Sequence, residues 1–104
     1  MNLRALARDK PCMIRIPGIC NGHPETTVLA HARIIGISGM GIKAPDIFGA
    51  WACSACHDYV DNRRPNSAGA VQRRLDLLEG VIRTQYELLQ LGYLSEAHRL
   101  TSGE

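Results

Sequence analysis

Apolar residues in the last third of the chain recur every three or four positions. The series comprises Val71, Leu75, Leu78, Ile82, Tyr86 and Leu89. Because this spacing places them all on one side of a helix, it predicts a long C-terminal helix over about residues 67–92 with one buried face. Asn66 or Ser67 is placed to cap its start and Gly92 to end it. Gly80 costs the helix about 1 kcal/mol relative to alanine, so the prediction depends on periodicity more than on propensity.

The first two thirds of the chain predict short elements joined by turns. Prolines and glycines in residues 11–24 favour extended segments and turns. The β-branched run from Thr26 to His31 predicts a strand, whereas residues 36–45 contain too many glycines for regular structure. An apolar stretch, residues 46–52, follows this loop and leads into a short helix over about residues 54–61.

Length and composition favour one small domain. The 104 residues contain no repeat, low-complexity tract or linker, so residues 1–104 are predicted to form a single domain with a core over about residues 11–64. A domain this short buries a modest fraction of its apolar surface and tends to need an additional cross-link. No apolar run is long enough to cross a bilayer, and no signal-peptide pattern follows Met1. The sequence therefore predicts a soluble, cytoplasmic protein with no membrane partner.

Two cysteine pairs supply a candidate cross-link. Cys53 and Cys56 have the spacing of a zinc knuckle, and Cys12 and Cys20 form a second, looser pair in the turn-rich segment. In a reducing compartment, thiols at short spacings are more often metal ligands than disulfide partners. We therefore predict a structural Zn²⁺ held by all four thiolates. Free buried thiols are the alternative, and His23 is placed to replace one cysteine if the loop folds differently.

The histidines indicate a second, catalytic metal site. His57 directly follows Cys56, and because successive helical side chains point about 100° apart, the two can hardly bind the same ion. His31 near the end of the strand and Asp46 after the glycine-rich loop are placed to join His57. Imidazole and carboxylate ligands suit a divalent cation, Mg²⁺, Mn²⁺ or Zn²⁺, that also contacts a phosphate. Further carboxylates in the same segment are Asp58 and Asp61.

These residue types suit hydrolysis of a phosphodiester bond. A base must deprotonate water near neutral pH, where histidine titrates, which assigns His31 as the base and His57 as a metal ligand. The net charge of +2 is compatible with a polyanionic partner without requiring one. Basic residues near the candidate site are predicted to bind the nucleic-acid backbone, although a solvated surface explains them equally well. They are Arg33, Lys43, Arg63 and Arg64.

An ordered set of motifs resembles the HNH, or ββα-metal, endonuclease superfamily. The set consists of Leu29-Ala30-His31-Ala32-Arg33, a glycine loop, Lys43-Ala44-Pro45-Asp46 and Ala52-Cys53-Ser54-Ala55-Cys56-His57. Within the superfamily the sequence is most similar to the small prophage proteins of the YbcO type, which carry the name of nucleases, and to the related domain of the phage endonuclease Ref. The resemblance covers about residues 11–64, most of the chain.

The resemblance implies a fold, an activity and partners. The fold is a small, zinc-stapled α+β domain of the ββα-metal (His-metal finger) type, in which a β-hairpin crossed by a helix holds one metal ion, here with an added long C-terminal helix. Carried over by position, His31 becomes the general base and His57 a metal ligand. The implied activity is metal-dependent hydrolysis of nucleic acid, with DNA as the expected substrate and phage recombination or replication proteins as candidate partners.

Two positions depart from the family pattern. No asparagine lies between His31 and Cys53, so Asp46 is the nearest polar substitute for the middle residue of the HNH name. Its carboxylate is placed either to orient His31 or to bind the metal. Ala30 stands where many members carry a metal ligand directly before the base. This leaves at least one ligand of the catalytic ion unassigned, with Asp46, Asp58 or His23 as candidates.

Two alternative functions follow from the same residues. A non-catalytic, zinc-stapled module that binds nucleic acid or protein would use His31 and His57 only for packing or phosphate contact. Asp46 separates this alternative from a nuclease, since a carboxylate beside phosphates is repelled unless a cation lies between them. A structural or protein-inhibitor role would use the apolar helix over residues 71–91 as a docking face, whereas covering the domain's own core is the simpler explanation.

Overall fold

The computed structural model describes residues 2–39, 41–63 and 68–95. They form a small α+β fold, as the sequence predicts. Single turns of 3₁₀ helix, Pro24–Thr26 and Asp46–Phe48, precede the two strands. In the described part of the chain, no helix is both long and apolar enough to span a membrane. In chain order the helices and strands are α1 (Leu3–Leu6), β1 (Val28–His31), β2 (Gly49–Ala52), α2 (Ser54–Val60) and α3 (Ala70–Gln90).

The two strands form an antiparallel pair at the centre of the domain. Val28 pairs with Ala52 and His31 pairs with Gly49, so the glycine-rich loop joins the strands beyond His31. All four residues of β2 are buried, because α3 packs against this strand. The chain order of hairpin and following α2 brings the end of β1 and the side of α2 into one region of the surface.

A buried hydroxyl connects β2 to α3. The backbone N–H of Trp51 donates to Thr84 Oγ1 at 2.9 Å, and the Trp51 carbonyl accepts from the Met13 backbone N–H at 2.7 Å. Trp51 and Thr84 are both almost completely buried. On the edge of β2 that does not face β1, the N–H and the carbonyl of Trp51 therefore bond to a side chain and to a loop instead of to a third strand.

Replacing Thr84 by valine is expected to destabilise the domain by about 1–3 kcal/mol, because the Trp51 N–H loses its buried acceptor while the side-chain volume is kept. Thr84→Ser is the matched control, since it keeps the hydroxyl and removes only a methyl group. Chemical denaturation of both variants measures the difference. Equal stability of the valine and serine variants would contradict the role assigned to this hydrogen bond.

The buried face of α3 differs from the predicted one. Gly80, Val81, Thr84 and Leu88 are buried, whereas Val71, the first residue of the predicted series, is 82% exposed. A β-carbon on Gly80 would lie 2.8 Å from Ile14 Cγ1 and 3.2 Å from the Ala50 β-carbon. The helix therefore approaches the sheet through its small residues, and the prediction that the larger apolar series forms the core face is wrong. The other exposed members of that series are Leu75, Leu78, Ile82 and Tyr86.

The C-terminal end of α3 matches the prediction at Gly92. The Gly92 N–H bonds to the Leu89 carbonyl at 3.1 Å and the Tyr93 N–H bonds to the Leu88 carbonyl at 2.9 Å. With a φ of 86° at Gly92, these bonds form a Schellman motif. At the other end, Gly69 occupies the N-cap position, and the predicted caps Asn66 and Ser67 lie outside the described residues.

The sequence patterns do not predict α1, which packs near the end of the hairpin. Asn2 caps it, with Oδ1 accepting from the Ala5 N–H at 3.2 Å. Ala7, directly after the helix, is buried in a cluster with Met13, Trp51 and Leu88. This packing fixes the N-terminal segment and brings its arginines to the surface next to β1.

Candidate active site and metal centre

The four cysteines converge on one point. The Sγ atoms of Cys12, Cys20, Cys53 and Cys56 all lie within 4.8 Å of one another, and those of Cys20 and Cys53 are 3.8 Å apart. A tetrahedral zinc ion with Zn–S bonds of about 2.3 Å needs sulfurs roughly 3.8 Å apart. The loop of Cys12 and Cys20 and the start of α2 therefore present a cluster that can hold a metal ion, as the cysteine spacing predicts.

The protonation of these thiols fits a metal site. A hydrogen bond with Cys56 lowers the pKa of the Cys12 thiol to about 4, and the same bond raises the pKa of Cys56. Burial raises the pKa of Cys20. Packed thiols of this kind share protons because neighbouring thiolates repel one another. A bound cation removes that restriction, since it deprotonates a coordinating thiol outright.

His31 is held by a carboxylate. His31 Nε2 lies 2.7 Å from Asp46 Oδ1, because the register of the hairpin places the last residue of β1 opposite Gly49, just after the 3₁₀ turn that starts at Asp46. Arg4 Nε lies 3.8 Å from the same carboxylate oxygen. With Asp46 ionised, Nε2 donates the hydrogen bond and the lone pair of neutral His31 is on Nδ1.

His57, on α2, lies beside a second carboxylate, that of the C-cap residue of this helix. His57 Nε2 is 3.2 Å from Asp61 Oδ2, one turn further along. Burial lowers the pKa of His57, an effect that Asp61 opposes, so the imidazole is neutral near neutral pH and able to bind a cation. Arg33 and Arg63 also contact the Asp61 carboxylate, at 3.5 and 3.1 Å.

One basic cavity joins the two histidines. Its volume is about 750 Å³, and His31, His57 and Asp61 all contribute to its wall. Asp61 is the one acidic residue among the described residues that line it, whereas five lining residues are cationic. A cavity with this excess of positive charge attracts an anion such as a phosphate. The cationic residues are Arg4, Arg8, Arg33, Lys43 and Arg63.

The structure groups the predicted site residues into two pairs. His31 contacts Asp46, and His57 contacts Asp61. Within the described ranges, the four cysteines are the only group of three or more potential ligands close enough to share an ion. Binding of one ion by both Asp46 and His57 stays a prediction.

Three of the four basic residues predicted near the site lie in the described part of the chain. Arg33, Lys43 and Arg63 line the cavity, whereas Arg64 lies outside the described residues. Sequence reasoning did not assign Arg4 and Arg8 to the site, although the basic character of the N-terminal segment was the available signal. The sequence patterns did not predict α1, the helix that brings these two arginines to the cavity.

Comparison with known proteins identifies the family. The family model described as "Putative nuclease YbcO" matches residues 1–93. The chain is 48% identical over 93 residues to "Putative nuclease YbcO" of Escherichia coli (strain K12), covering 89% of this chain and 96% of the relative. The protein of that name in Enterobacteria phage 82 matches to the same extent.

A solved structure agrees with this assignment. It is described as that of "a putative bacteriophage protein from Escherichia coli str. K-12 substr. MG1655" and superposes with a TM-score of 0.72. The two sequences are 43% identical, and the match covers 88% of this chain and 100% of the other. The chain therefore belongs to the YbcO family, and the two relatives from Escherichia coli and phage 82 carry the name "Putative nuclease".

Proposed function

We propose that this chain is a metal-dependent nuclease of phage or prophage type that hydrolyses phosphodiester bonds of nucleic acid, with DNA as its substrate. The observation that carries the proposal is the His31–Asp46 pair at 2.7 Å, whose histidine shares a basic cavity with His57. A carboxylate that fixes one nitrogen of a histidine leaves the other to act as a base, which is the group that hydrolysis by water requires.

His31 acts as the general base. Its Nδ1 takes a proton from the attacking water, while Asp46 holds the ring and stabilises the imidazolium that forms. The water oxygen bonds to phosphorus, the bond from phosphorus to the leaving sugar oxygen breaks, and that oxygen takes up a proton from solvent. Asp46 positions the base and is not itself among the residues lining the cavity.

Of the predicted ligands His57 and Asp46, we propose that His57 holds the catalytic cation together with Asp61, because the Asp46 carboxylate already contacts His31. Imidazole and carboxylate donors 3.2 Å apart fit Mg²⁺, Mn²⁺ or Zn²⁺ with water and substrate phosphate as its other ligands. When bound, such a cation supplies charge stabilisation at the phosphate and at the leaving oxygen. Asp61 would have to exchange part of its contact with Arg33 and Arg63 for the ion.

The hairpin, the four cysteines and the cationic residues of the cavity have further proposed roles. We propose that β1, β2 and α2 form the ββα-metal unit of the HNH superfamily, with the base at the end of the hairpin and the metal ligand on the helix. The four cysteines bind a structural Zn²⁺ that joins the N-terminal loop to α2. The cationic residues of the cavity contact the backbone of the substrate, which makes binding dependent on salt concentration.

Purified protein is expected to cut nucleic acid only with a divalent cation, and His57→Ala is expected to lose this cleavage because a cation ligand is removed. The assay compares single- and double-stranded DNA and RNA with Mg²⁺, Mn²⁺ or Zn²⁺. His23→Ala is the matched control, since His23 is exposed and its nearest ionic contact is Glu25 at 3.6 Å. Binding of nucleic acid by the wild type without cleavage of any substrate would replace the nuclease proposal by a non-catalytic zinc module.

A further inference from the structure

One side of α3 is apolar and exposed, and we call it the α3 stripe. It consists of Val71, Leu75, Leu78, Ile82 and Tyr86, which are 82%, 46%, 47%, 58% and 59% exposed, respectively. These residues lie roughly two fifths of the way around the helix from the face that packs on the sheet. A contiguous apolar surface of this kind on a small soluble domain marks an interaction site.

The spacing of the stripe is that of a coiled-coil seam. Val71, Leu75, Leu78 and Ile82 are separated by alternating steps of four and three residues, which places them at successive d and a positions of a heptad repeat. Such a seam is covered best by another helix carrying the same pattern, whose side chains fit between its own. A second copy of this chain supplies that helix.

Charges on the two edges of the stripe are complementary. On one edge, a groove of about 430 Å³ is lined by three cations, Arg33, Arg73 and Arg74, against one carboxylate, Asp61. Glu79 lies on the opposite edge. In the heptad that the seam defines, Arg74 is at a g position and Glu79 is at the e position five residues later, which are the positions that face each other across a parallel pair.

The present contact of Glu79 does not compete strongly with this arrangement. Its carboxylate lies 3.4 Å from Arg83 of the same helix, and an exposed pair at this spacing contributes little to stability. Residues 96–104 are a poor cover for the stripe, because they contain only Ala97 and Leu100 as apolar side chains. A nucleic acid is also a poor cover, since phosphates would lie against Glu79.

We propose that the chain forms a parallel two-fold dimer in which the α3 stripes of two copies pack together and Glu79 of each copy faces Arg74 of the other. Arg33 and Asp61 line both the groove beside the stripe and the basic cavity. The interface therefore adjoins the cavity in each copy, and the dimer carries two cavities. The dimer is expected to form whether or not the chain cuts nucleic acid.

Sedimentation velocity over a range of concentrations tests the dimer. Wild type is expected to have twice the monomer mass of 11.4 kDa, and Leu78→Glu is expected to be monomeric with unchanged circular dichroism and metal content, since it buries a charge in the seam. Ile37→Glu is the matched control, because Ile37 is similarly exposed but lies in the glycine-rich loop. A monomeric wild type, or a Leu78→Glu variant that stays dimeric, overturns the proposal.

A charge exchange tests the parallel pairing. Arg74→Glu and Glu79→Arg alone should each raise the dimer dissociation constant by roughly tenfold, since each places like charges at two symmetric contacts. The double variant restores opposite charges and should recover the wild-type constant. Recovery supports the pairing of Arg74 with Glu79 of the second copy, whereas a double variant weaker than both single ones overturns it.

Discussion

Cys53→Ser is expected to unfold the domain or to lower its melting temperature by tens of degrees. Cys53 is completely buried at the start of α2, and its sulfur lies in the four-cysteine cluster. Structural zinc sites contribute apparent binding energies of about 10–16 kcal/mol that become folding energy, as large as the whole stability of a typical domain, about 5–15 kcal/mol. Thermal denaturation followed by circular dichroism measures the effect, and elemental analysis measures the bound metal.

The matched control is Ser54→Ala at the next position. Ser54 is exposed and accepts a hydrogen bond from the Asn21 side-chain amide at 3.0 Å, so its loss should cost only about 1 kcal/mol and leave the metal content intact. A Cys53→Ser protein that loses all its metal yet melts at the wild-type temperature would show that the cluster is not what stabilises the fold.

His31→Ala is expected to reduce phosphodiester cleavage by about 10²–10⁴-fold, the usual contribution of a general base. Folding and metal content should be preserved, because the cysteine cluster and the α3 packing do not involve His31. Single-turnover cleavage under the conditions in which wild type is active measures the loss. Asp46→Asn should have a smaller effect in the same assay, since it keeps a group at the ring but removes the charge that stabilises the imidazolium.

The control for His31 is again His23→Ala, which removes an exposed imidazole outside the cavity and should cut at the wild-type rate. If His31→Ala cuts as fast as His23→Ala, His31 is not the base. A drop in both cleavage and melting temperature for His31→Ala would indicate a structural role, so the two measurements are made on the same preparations.

The residues of the four-cysteine cluster could be predicted from sequence because their chemistry restricts their partners. In a reducing compartment, four cysteines, two of them at knuckle spacing, have few alternatives to a shared metal ion. His31 and Asp46 could also be recognised as candidate residues by their type. Their proximity depends on a hairpin, however, and the β-branched run at residues 26–31 predicts only its first strand. The structure provides the second strand and with it the 2.7 Å contact.

The burial of α3 could not be predicted because periodicity does not identify what a helix packs against. The large apolar residues form a regular series, yet the sheet accepts the face with Gly80, whose lack of a side chain permits close approach to Ile14 and Ala50. Propensity counts Gly80 as a cost of about 1 kcal/mol. In the folded chain the same glycine makes the contact with the sheet possible.

Only some of the cationic residues that line the cavity could be predicted from the sequence. Arg33, Lys43 and Arg63 lie close in sequence to the candidate site, so their charge is an obvious clue. Arg4 and Arg8 reach the cavity only because Ala7 is buried against Trp51 and thereby fixes α1 beside the hairpin. A four-residue helix has too little periodicity to be recognised from sequence.

Cleavage in H₂¹⁸O tests the proposed hydrolysis most directly. Wild-type protein with its divalent cation is expected to release fragments whose new terminal phosphate carries one ¹⁸O atom, and His31→Ala is expected to release almost none, both measured by mass spectrometry. This result would show that water attacks phosphorus and that His31 is required. No cleavage by the wild type on any nucleic acid, or new termini without ¹⁸O, would contradict it.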